Sequence, residues 1–210
     1  MRSPKRLRTA ALAAAGLLAA VVALGTTTAT AQGSADARGS GAGAASARAW
    51  RLVDRSPELV RPRALTVDGS LSKRRAAQEI RLAQQLYTFW NTGEQRHLDA
   101  AVDRGFRDNT LPDGRPQGPA GPAFASRAFR AAVPDLTCEL ADLLITGDMI
   151  TARLVFRGHF TGVFDGVAGR GQRVEFNAID IQHVGTDRIT EDWHIEDNRT
   201  LLAQLGAAAR

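Results

Sequence analysis

The apolar residues of this 210-residue chain change their spacing at Pro134, and this change constrains the fold more than any other feature of the sequence. Before Pro134, apolar residues recur three and four positions apart, which predicts helices over residues 72–91, 96–102 and 122–133. After it, apolar and polar residues alternate, which predicts strands over residues 136–145, 149–160, 173–184 and 188–195. Helices followed by an antiparallel series of strands predict the α+β class.

Local signals mark the ends of these elements. Ser72 is a candidate N-cap, and Gly93 is suited to the left-handed position that ends a helix. Asp197 or Asn198 is expected to cap a short C-terminal helix. Residues 106–121 are rich in Pro and Gly, so the sequence predicts a loop there.

The first 31 residues have the order of a secretory signal peptide. Four basic residues precede an apolar run of mostly Ala, Leu and Val over residues 9–25, and Ala29-Thr30-Ala31 then forms a small-residue cleavage pattern. An uncleaved membrane anchor is the alternative, because the run is only slightly shorter than a membrane span. We expect cleavage, and therefore a secreted or extracytoplasmic protein that meets the membrane only transiently during export.

Positive charge is concentrated before the predicted domain. The chain has a net charge of +5, and the segment 1–31 contributes four positive charges and no acidic residue. Residues 32–71 begin with a stretch rich in Gly, Ser and Ala and are predicted to form a flexible or extended linker. Residues 76–210 hold 14 Arg against 18 Asp and Glu, so this part of the chain, which includes most of the predicted domain at 72–206, is mildly acidic. A basic face for nucleic acid is therefore not expected.

Cys138 is the only cysteine, so an exported form of this chain would have no internal disulfide. Four histidines remain as candidate nitrogen ligands, and none of them lies in a ligand-spacing motif. A site built from His159, His183 and a carboxylate is conceivable. We nevertheless predict no metal and no organic cofactor.

Aromatic and polar residues in three regions could form a site for a small hydrophobic ligand. Tyr87 and Trp90 end the first predicted helix, where core packing is the alternative role for both, and Phe124 lies on the third predicted helix. Asp108 and Asn109 lie in the predicted loop, where they could instead cap a turn.

The third region, residues 191–197, places four carboxylates around His194. A carboxylate beside an imidazole fixes its tautomer and supports its protonated form, which suits acid–base chemistry near neutral pH. We therefore predict His194 and Asp197 as a catalytic pair, with a solvated edge strand as the alternative.

Three further residues complete the set of candidate ligand contacts: Trp193, His159 and His183. Trp193 alternates with His194 and is expected on the opposite face of its strand. His183 alternates with Ile181 and Ile179, so it could share a buried stripe with them as a core histidine. His159 follows a glycine next to a Gly-rich connection, where a surface position is the alternative.

Five short motifs follow one another along the chain. They are Tyr87-x-x-Trp90-Asn91-Thr92-Gly93, Gly118-Pro119-x-Gly121-Pro122, Gly158-His159-Phe160-Thr161-Gly162, Arg188-Ile189-x-Glu191-x-Trp193 and Leu201-Leu202-x-Gln204-Leu205-Gly206. Their order and spacing resemble the SnoaL-like polyketide cyclase (ester cyclase) family over residues 72–206.

This resemblance implies the cone-shaped fold of the nuclear-transport-factor-like superfamily, in which a curved antiparallel sheet wraps N-terminal helices around a pocket. Family cyclases close a ring by an aldol condensation without metal or cofactor. The family's acid–base Asp falls on the position of His194, and a second acidic position falls on Asp197. The polar loop position falls on Asp108 or Asn109, and polar pocket positions on the third strand fall near Ala178 and Asp180.

Two functions remain open at this point. One is an exported, cofactor-free enzyme for aldol-type cyclisation or a related isomerisation of a small hydrophobic carbonyl compound. The alternative is a non-catalytic, extracytoplasmic module that binds a small ligand in the same pocket. A homodimer formed through the sheet is compatible with either function, and the sequence leaves open whether the protein is an enzyme.

Overall fold

The computed structural model describes residues 46–207. The predicted signal peptide and the first part of the predicted linker lie outside the described residues, as do residues 208–210. Within the described range, no helix combines the length and the apolar character that crossing a membrane requires.

Four helices confirm the three helices that the spacing predicts and the short C-terminal helix that Asp197 or Asn198 is expected to cap. They are α1 (Lys73–Thr92), α2 (Gln95–Ala101), α3 (Ala120–Ala132) and α4 (Asn198–Leu205). Ser72 caps α1 by accepting a hydrogen bond from the backbone N–H of Arg75, and Gly93 ends it with a φ of 77°. Asp197 caps α4 by accepting from the backbone N–H of Thr200 at 3.1 Å.

Six strands form one curved sheet, and two short strands pair separately. The eight are β1 (Ala64–Val67), β2 (Val102–Asp108), β3 (Thr137–Thr146), β4 (Met149–Phe160), β5 (Val163–Phe164), β6 (Val167–Ala168), β7 (Gln172–Val184) and β8 (Ile189–Glu196). The order in the large sheet is β1-β3-β4-β7-β8-β2, and its four central strands are antiparallel as expected. The edge strands β1 and β2 instead pair in parallel with β3 and β8. The result is the predicted α+β fold.

Strand β2 is the main departure from the sequence prediction, which extends a helix to Val102 and places a loop from residue 106. In the structure Phe106 and Asp108 are buried, and Asp108 lies opposite Asp192 of β8. Apolar and polar residues alternate over only a short part of β2, with an interruption at Gly105, and its partner strand β8 is distant in the sequence. Local spacing could therefore not reveal it.

Residues 53–67 pack against the rest of the fold through α1 and β3. The Asp54 backbone N–H donates to Oε1 of the buried Gln84 at 3.0 Å, and the Val60 N–H donates to Oγ1 of Thr88 at 3.0 Å. Three apolar side chains of this segment are buried: Val53, Leu59 and Leu65. The boundary between linker and domain at residue 72 stays a prediction.

The core lies between α1 and the inner face of the sheet. On β7 this face consists of the even-numbered residues Val174, Phe176, Ala178, Asp180, Gln182 and Val184. The expectation that His183 shares a buried stripe with Ile179 and Ile181 is wrong, because these isoleucines lie 49% and 41% exposed on the outer face. The inner face thus carries two polar residues, Asp180 and Gln182, toward one end of the strand.

Candidate functional site

His194 lies on the inner face of β8 and is held between two carboxylates. Its Nε2 is 3.1 Å from Oδ2 of Asp108 on β2, and its Nδ1 is 2.8 Å from Oε1 of Glu196. The side chains of His194 and Asp108 are only 8% and 4% exposed. Both ring nitrogens are therefore occupied, which is the arrangement that a doubly protonated imidazolium satisfies.

The two carboxylates decide the charge of this imidazole. Burial alone would lower the pKa of His194, but its hydrogen bonds to Glu196 and Asp108 and the negative charge of Glu196 more than offset this effect and raise the pKa to about 9. The same hydrogen bond to His194 lowers the pKa of Glu196 despite its burial. At neutral pH the group is thus an imidazolium between acceptors.

The loop that follows β2 covers this arrangement. The backbone N–H of His194 donates to Oγ1 of Thr110 at 2.9 Å, and the Thr110 N–H donates to Oδ1 of Asp108 at 2.9 Å. Gln117 fixes the other end of the loop, since its side chain accepts from the Asp108 N–H and donates to the Asp108 carbonyl. The Asp108 carboxylate is therefore positioned by its own loop as well as by the imidazole.

A second buried polar group lies next to His194 on the inner face. Asp180 of β7 is opposite His194 in the strand register. The hydroxyl of the fully buried Tyr87 donates to Oδ2 of Asp180 at 3.2 Å, and Nε2 of Gln182 donates to that hydroxyl at 3.0 Å. Burial raises the pKa of Asp180 to about 7, although the charge of His194 opposes this rise.

Aromatic side chains continue the inner face away from these polar groups. Phe176 of β7 stacks on Phe156 with ring centroids 5.1 Å apart, and Phe129 of α3 lies 5.6 Å from Phe176. Trp90 of α1 packs edge-on against Phe156 at 6.1 Å. The small Ala178 separates this aromatic group, defined as Trp90, Phe129, Phe156 and Phe176, from Asp180.

The structure brings together some of the predicted residues. Tyr87, Asp108 and His194 belong to one buried polar cluster, which we define as Tyr87, Asp108, Asp180, Gln182, Asp192, His194 and Glu196. Trp90 belongs to the aromatic group beside it. Asn109 lies at its edge, where its side chain donates to Glu191 at 2.9 Å.

Other predicted residues lie elsewhere. The predicted pairing of His194 with Asp197 is not formed, because Asp197 caps α4 and the neighbouring Glu196 contacts the imidazole instead. His159 pairs with Asp135 at 2.7 Å on the surface, with its side chain 58% exposed. Three more face away from the cluster or into solvent: Phe124, His183 and Trp193.

Sequence reasoning missed Glu196, Asp192 and Gln182 as cluster members and treated Asp180 only as an approximate match. Alternation did place Glu196 on the same face of β8 as His194, so that signal was available. On β7, two polar residues at even positions interrupt an otherwise apolar face. Such an interruption inside a buried strand is the signal that could have found them.

Two cavities among residues 46–207 lie apart from this cluster. One, of about 420 Å³, is lined by Ala47, Arg48, Arg51, Leu52 and Lys73, and another of about 420 Å³ by Arg173, Glu175, Asn177 and Gln204. Among residues 46–207, no three His, Cys, Asp or Glu side chains are grouped so as to hold a metal ion.

Comparison with known proteins identifies relatives across most of the described residues. The family model for SnoaL-like polyketide cyclases matches residues 80–205. A crystal structure named as a polyketide cyclase of Bacillus cereus is 44% identical, covers 75% of this chain and 99% of its own, and has a TM-score of 0.67. TsrD of Streptomyces laurentii is 29% identical over 66% of this chain and 99% of its own, with a TM-score of 0.57. IdmH of Streptomyces antibioticus, named as a polyketide cyclase, is 30% identical, covers 60% of this chain and 96% of its own, and has a TM-score of 0.54. No curated protein matches the chain.

Proposed function

The chain belongs to the SnoaL-like polyketide cyclase family, and from this premise we propose that it is a cofactor-free acid–base enzyme acting on a small hydrophobic carbonyl compound. The observation that carries the proposal is the inner face of β7, where Phe176, Ala178 and Asp180 follow one another. An apolar ligand lying on the aromatic group would have its polar end at the buried polar cluster. That combination of an apolar wall and a few convergent polar groups is typical of ligand sites.

The reaction we propose begins with transfer of a proton from the carbon next to the ligand's carbonyl to a carboxylate of the buried polar cluster. The electron pair of the broken C–H bond becomes an enolate, whose oxygen carries the negative charge. The imidazolium of His194, a member of that cluster, would stabilise the charge on the enolate oxygen, because electrostatic interactions are strong where water is excluded. The enolate then either regains a proton at another atom, which is an isomerisation, or adds to a second carbonyl, which is an aldol cyclisation.

Proton exchange at a model carbon acid tests this proposal. The full chain is incubated with 2-tetralone in D₂O, and loss of the α-proton signal is followed by NMR. We expect exchange above the buffer rate and a fall of roughly 100-fold or more in His194→Gln. His159→Gln is the matched control, because it removes another carboxylate-paired histidine that lies on the surface. Equal rates for wild type, His194→Gln and buffer would contradict an enzymatic function.

A non-catalytic ligand-binding module is the second candidate. It is favoured by the occupation of both ring nitrogens of His194, because a group with no free lone pair binds charge without accepting a proton. In that case a small hydrophobic molecule should co-purify with the chain unchanged, and mass spectrometry of the extracted ligand identifies it. Conversion of that molecule by the chain would exclude this candidate.

We extend the proposal to an extracytoplasmic location, supported by the order of charges and apolar residues in segment 1–31. Expression of the chain followed by sequencing of its N-terminus should give a mature protein beginning near Gln32. Retention of Met1 in a cytoplasmic fraction would contradict export. Polyketide tailoring normally takes place beside the synthase in the cytoplasm, so export favours an isomerisation or another enolisation over the family's ring closure.

A homodimer through the outer face of the sheet belongs to the same proposal. Four apolar side chains are exposed on the outer face of β7 and β8: Ile179, Ile181, Trp193 and Ile195. They form cross-strand pairs, so the exposed apolar surface is continuous. Light scattering should give twice the chain mass, and Ile195→Lys should give the monomer. A monomeric wild-type chain would contradict the dimer.

A further inference from the structure

Two carboxyl groups of the buried polar cluster remain without an assigned role, Asp180 and Asp192. Asp180 lies opposite His194 and Asp192 lies opposite Gln182, so the two carboxyls are diagonal neighbours on the inner face of β7 and β8. The Tyr87 hydroxyl occupies Oδ2 of Asp180. Its other oxygen, Oδ1, accepts no hydrogen bond from residues 46–207 and is therefore available to a ligand.

Two oxygen atoms in this group are buried without a hydrogen-bond partner among the described residues. They are Oδ1 of Asp192 and Oε1 of Gln182, which is itself completely buried. Both atoms are acceptors when Asp192 is ionised, so neither can satisfy the other. A proton on Asp192 would supply the missing donor, because a carboxylic acid donates one O–H bond. A buried acceptor without a donor is costly, so the neutral acid is the favoured form.

We propose that Asp180 is the group that takes up and returns the ligand's proton, with Asp192 held beside it as a neutral carboxylic acid. This proposal rests on the acid–base function proposed above and assigns its proton carrier. Oδ1 of Asp180 bonds to the proton that leaves the carbon next to the carbonyl, and the C–H electron pair becomes the enolate. The Asp180 acid then returns that proton to carbon, or to the alkoxide formed by aldol addition, so the enzyme ends unchanged.

The geometry separates this role from that of His194. Both ring nitrogens of His194 are occupied by Asp108 and Glu196, so accepting a substrate proton would require one of those bonds to break. Asp180 requires no such break. His194 then acts as a fixed positive charge opposite Asp180, which favours the carboxylate form that removes the proton.

Groups from every neighbouring element face Asp180. Tyr87 comes from α1 and Cys138 from β3, and burial raises the pKa of both groups well above their usual range, so they stay neutral near pH 7. Asp108 comes from β2, and His194 and Glu196 from β8. Burial raises the pKa of Asp192 well above its usual range, and the charge of Asp180 adds to this rise. Asp180 thus has the pKa closest to the pH at which proton transfer in both directions is efficient.

Infrared difference spectroscopy of the full chain tests the assignment without any substrate. The C=O stretch of a protonated carboxyl group is followed as the pH is raised. We expect one such band to disappear with a midpoint near pH 7 in wild type and to be missing in Asp180→Asn. A second band, which persists above that pH, should be missing in Asp192→Asn. Asp142→Asn changes an exposed carboxylate on β3 and is the control. A band that titrates unchanged in Asp180→Asn would overturn the proposal.

Exchange of 2-tetralone protons in D₂O gives the second measurement. Asp180→Asn keeps an oxygen that can accept from Tyr87, so it should fold, as circular dichroism can check, and lose roughly 100-fold or more in exchange rate. Wild-type exchange with full retention of rate in Asp180→Asn would overturn this inference alone. A wild-type chain that exchanges no faster than buffer would overturn the proposed function and, with it, the role of Asp180.

Discussion

The bridge of Asp108, His194 and Glu196 predicts a specific dependence of stability on pH. The pKa of His194 is about 9 in the folded chain against an ordinary value of 6.5. Each unit of such a difference is worth about 1.4 kcal/mol, so the protonated bridge contributes about 3 kcal/mol to the free energy of unfolding. Because the folded pKa is the higher one, this contribution is complete below about pH 6.5 and is lost as the pH rises through about 9.

The substitution His194→Gln isolates that contribution. Glutamine carries its N–H donors on one amide nitrogen, so it can replace only one of the two hydrogen bonds that the separate ring nitrogens make. The free energy of unfolding of wild type should therefore exceed that of the variant by about 3 kcal/mol near pH 6. At about pH 10 the neutral imidazole of wild type also has one N–H donor, so the difference should shrink toward zero. Urea unfolding followed by tryptophan fluorescence at a series of pH values measures both free energies.

His159→Gln is the matched control for this experiment. His159 also pairs with a carboxylate, that of Asp135, but its side chain is 58% exposed and solvent screens the pair. Its removal should change the free energy of unfolding by no more than roughly 1 kcal/mol. A gap between wild type and His194→Gln that stays constant from about pH 6 to about pH 10 would refute the reasoning, because it would show that His194 does not titrate in this window.

Three further substitutions test how the fold positions the site. Gly162→Ala should lower the free energy of unfolding by roughly 2 kcal/mol in urea titrations, because the added Cβ collides with the Ala131 carbonyl. Gly69→Ala is the control, since a Cβ at that position meets no atom within 4 Å and should leave the free energy of unfolding unchanged. Arg130→Met removes the donors to the carbonyls of Trp90 and Leu136, at 2.7 and 3.1 Å, and should lower the free energy of unfolding by roughly 2 kcal/mol. Arg127→Met, at an exposed position on the same helix, should change the free energy of unfolding little. Gln84→Leu removes three hydrogen bonds to residues 54–60 and should speed tryptic cleavage after Arg55. Gln95→Leu on exposed α2 should leave that cleavage rate unchanged, and an unchanged rate in Gln84→Leu would show that Gln84 does not hold this segment.

The helices and the antiparallel core of the sheet were predictable because their signals are local. Ser72 and Gly93 end α1 through contacts within four residues, and the alternation around Gly147 fixes the β3–β4 hairpin. The placement of His194 and Glu196 on one face follows from the same alternation.

The partners of His194 were only partly predictable, because one of them depends on non-local pairing. Asp108 reaches the imidazole from 86 residues away, through the parallel strand β2, whose first residue the sequence analysis assigns to a helix and whose last three residues it assigns to a loop. Asp197, which follows His194 by three residues, instead caps the N-terminus of α4, where its side chain accepts a hydrogen bond from a backbone N–H. The sequence shows that the Asp197 carboxylate could either pair with His194 or cap α4, but it does not show which of the two interactions is the more stable.

The parallel pairing of β2 with β8 has a consequence for the order in which the chain folds. Synthesis produces Asp108 well before His194, and a contact across so many residues must overcome a large loop-closure entropy. We expect the helices and the β3–β4 hairpin to form early and the edge that holds the bridge to close last. A chain cut before residue 189 would keep those early elements, lack the bridge entirely and leave β7 as an unpaired edge. Such fragments should aggregate rather than remain in solution.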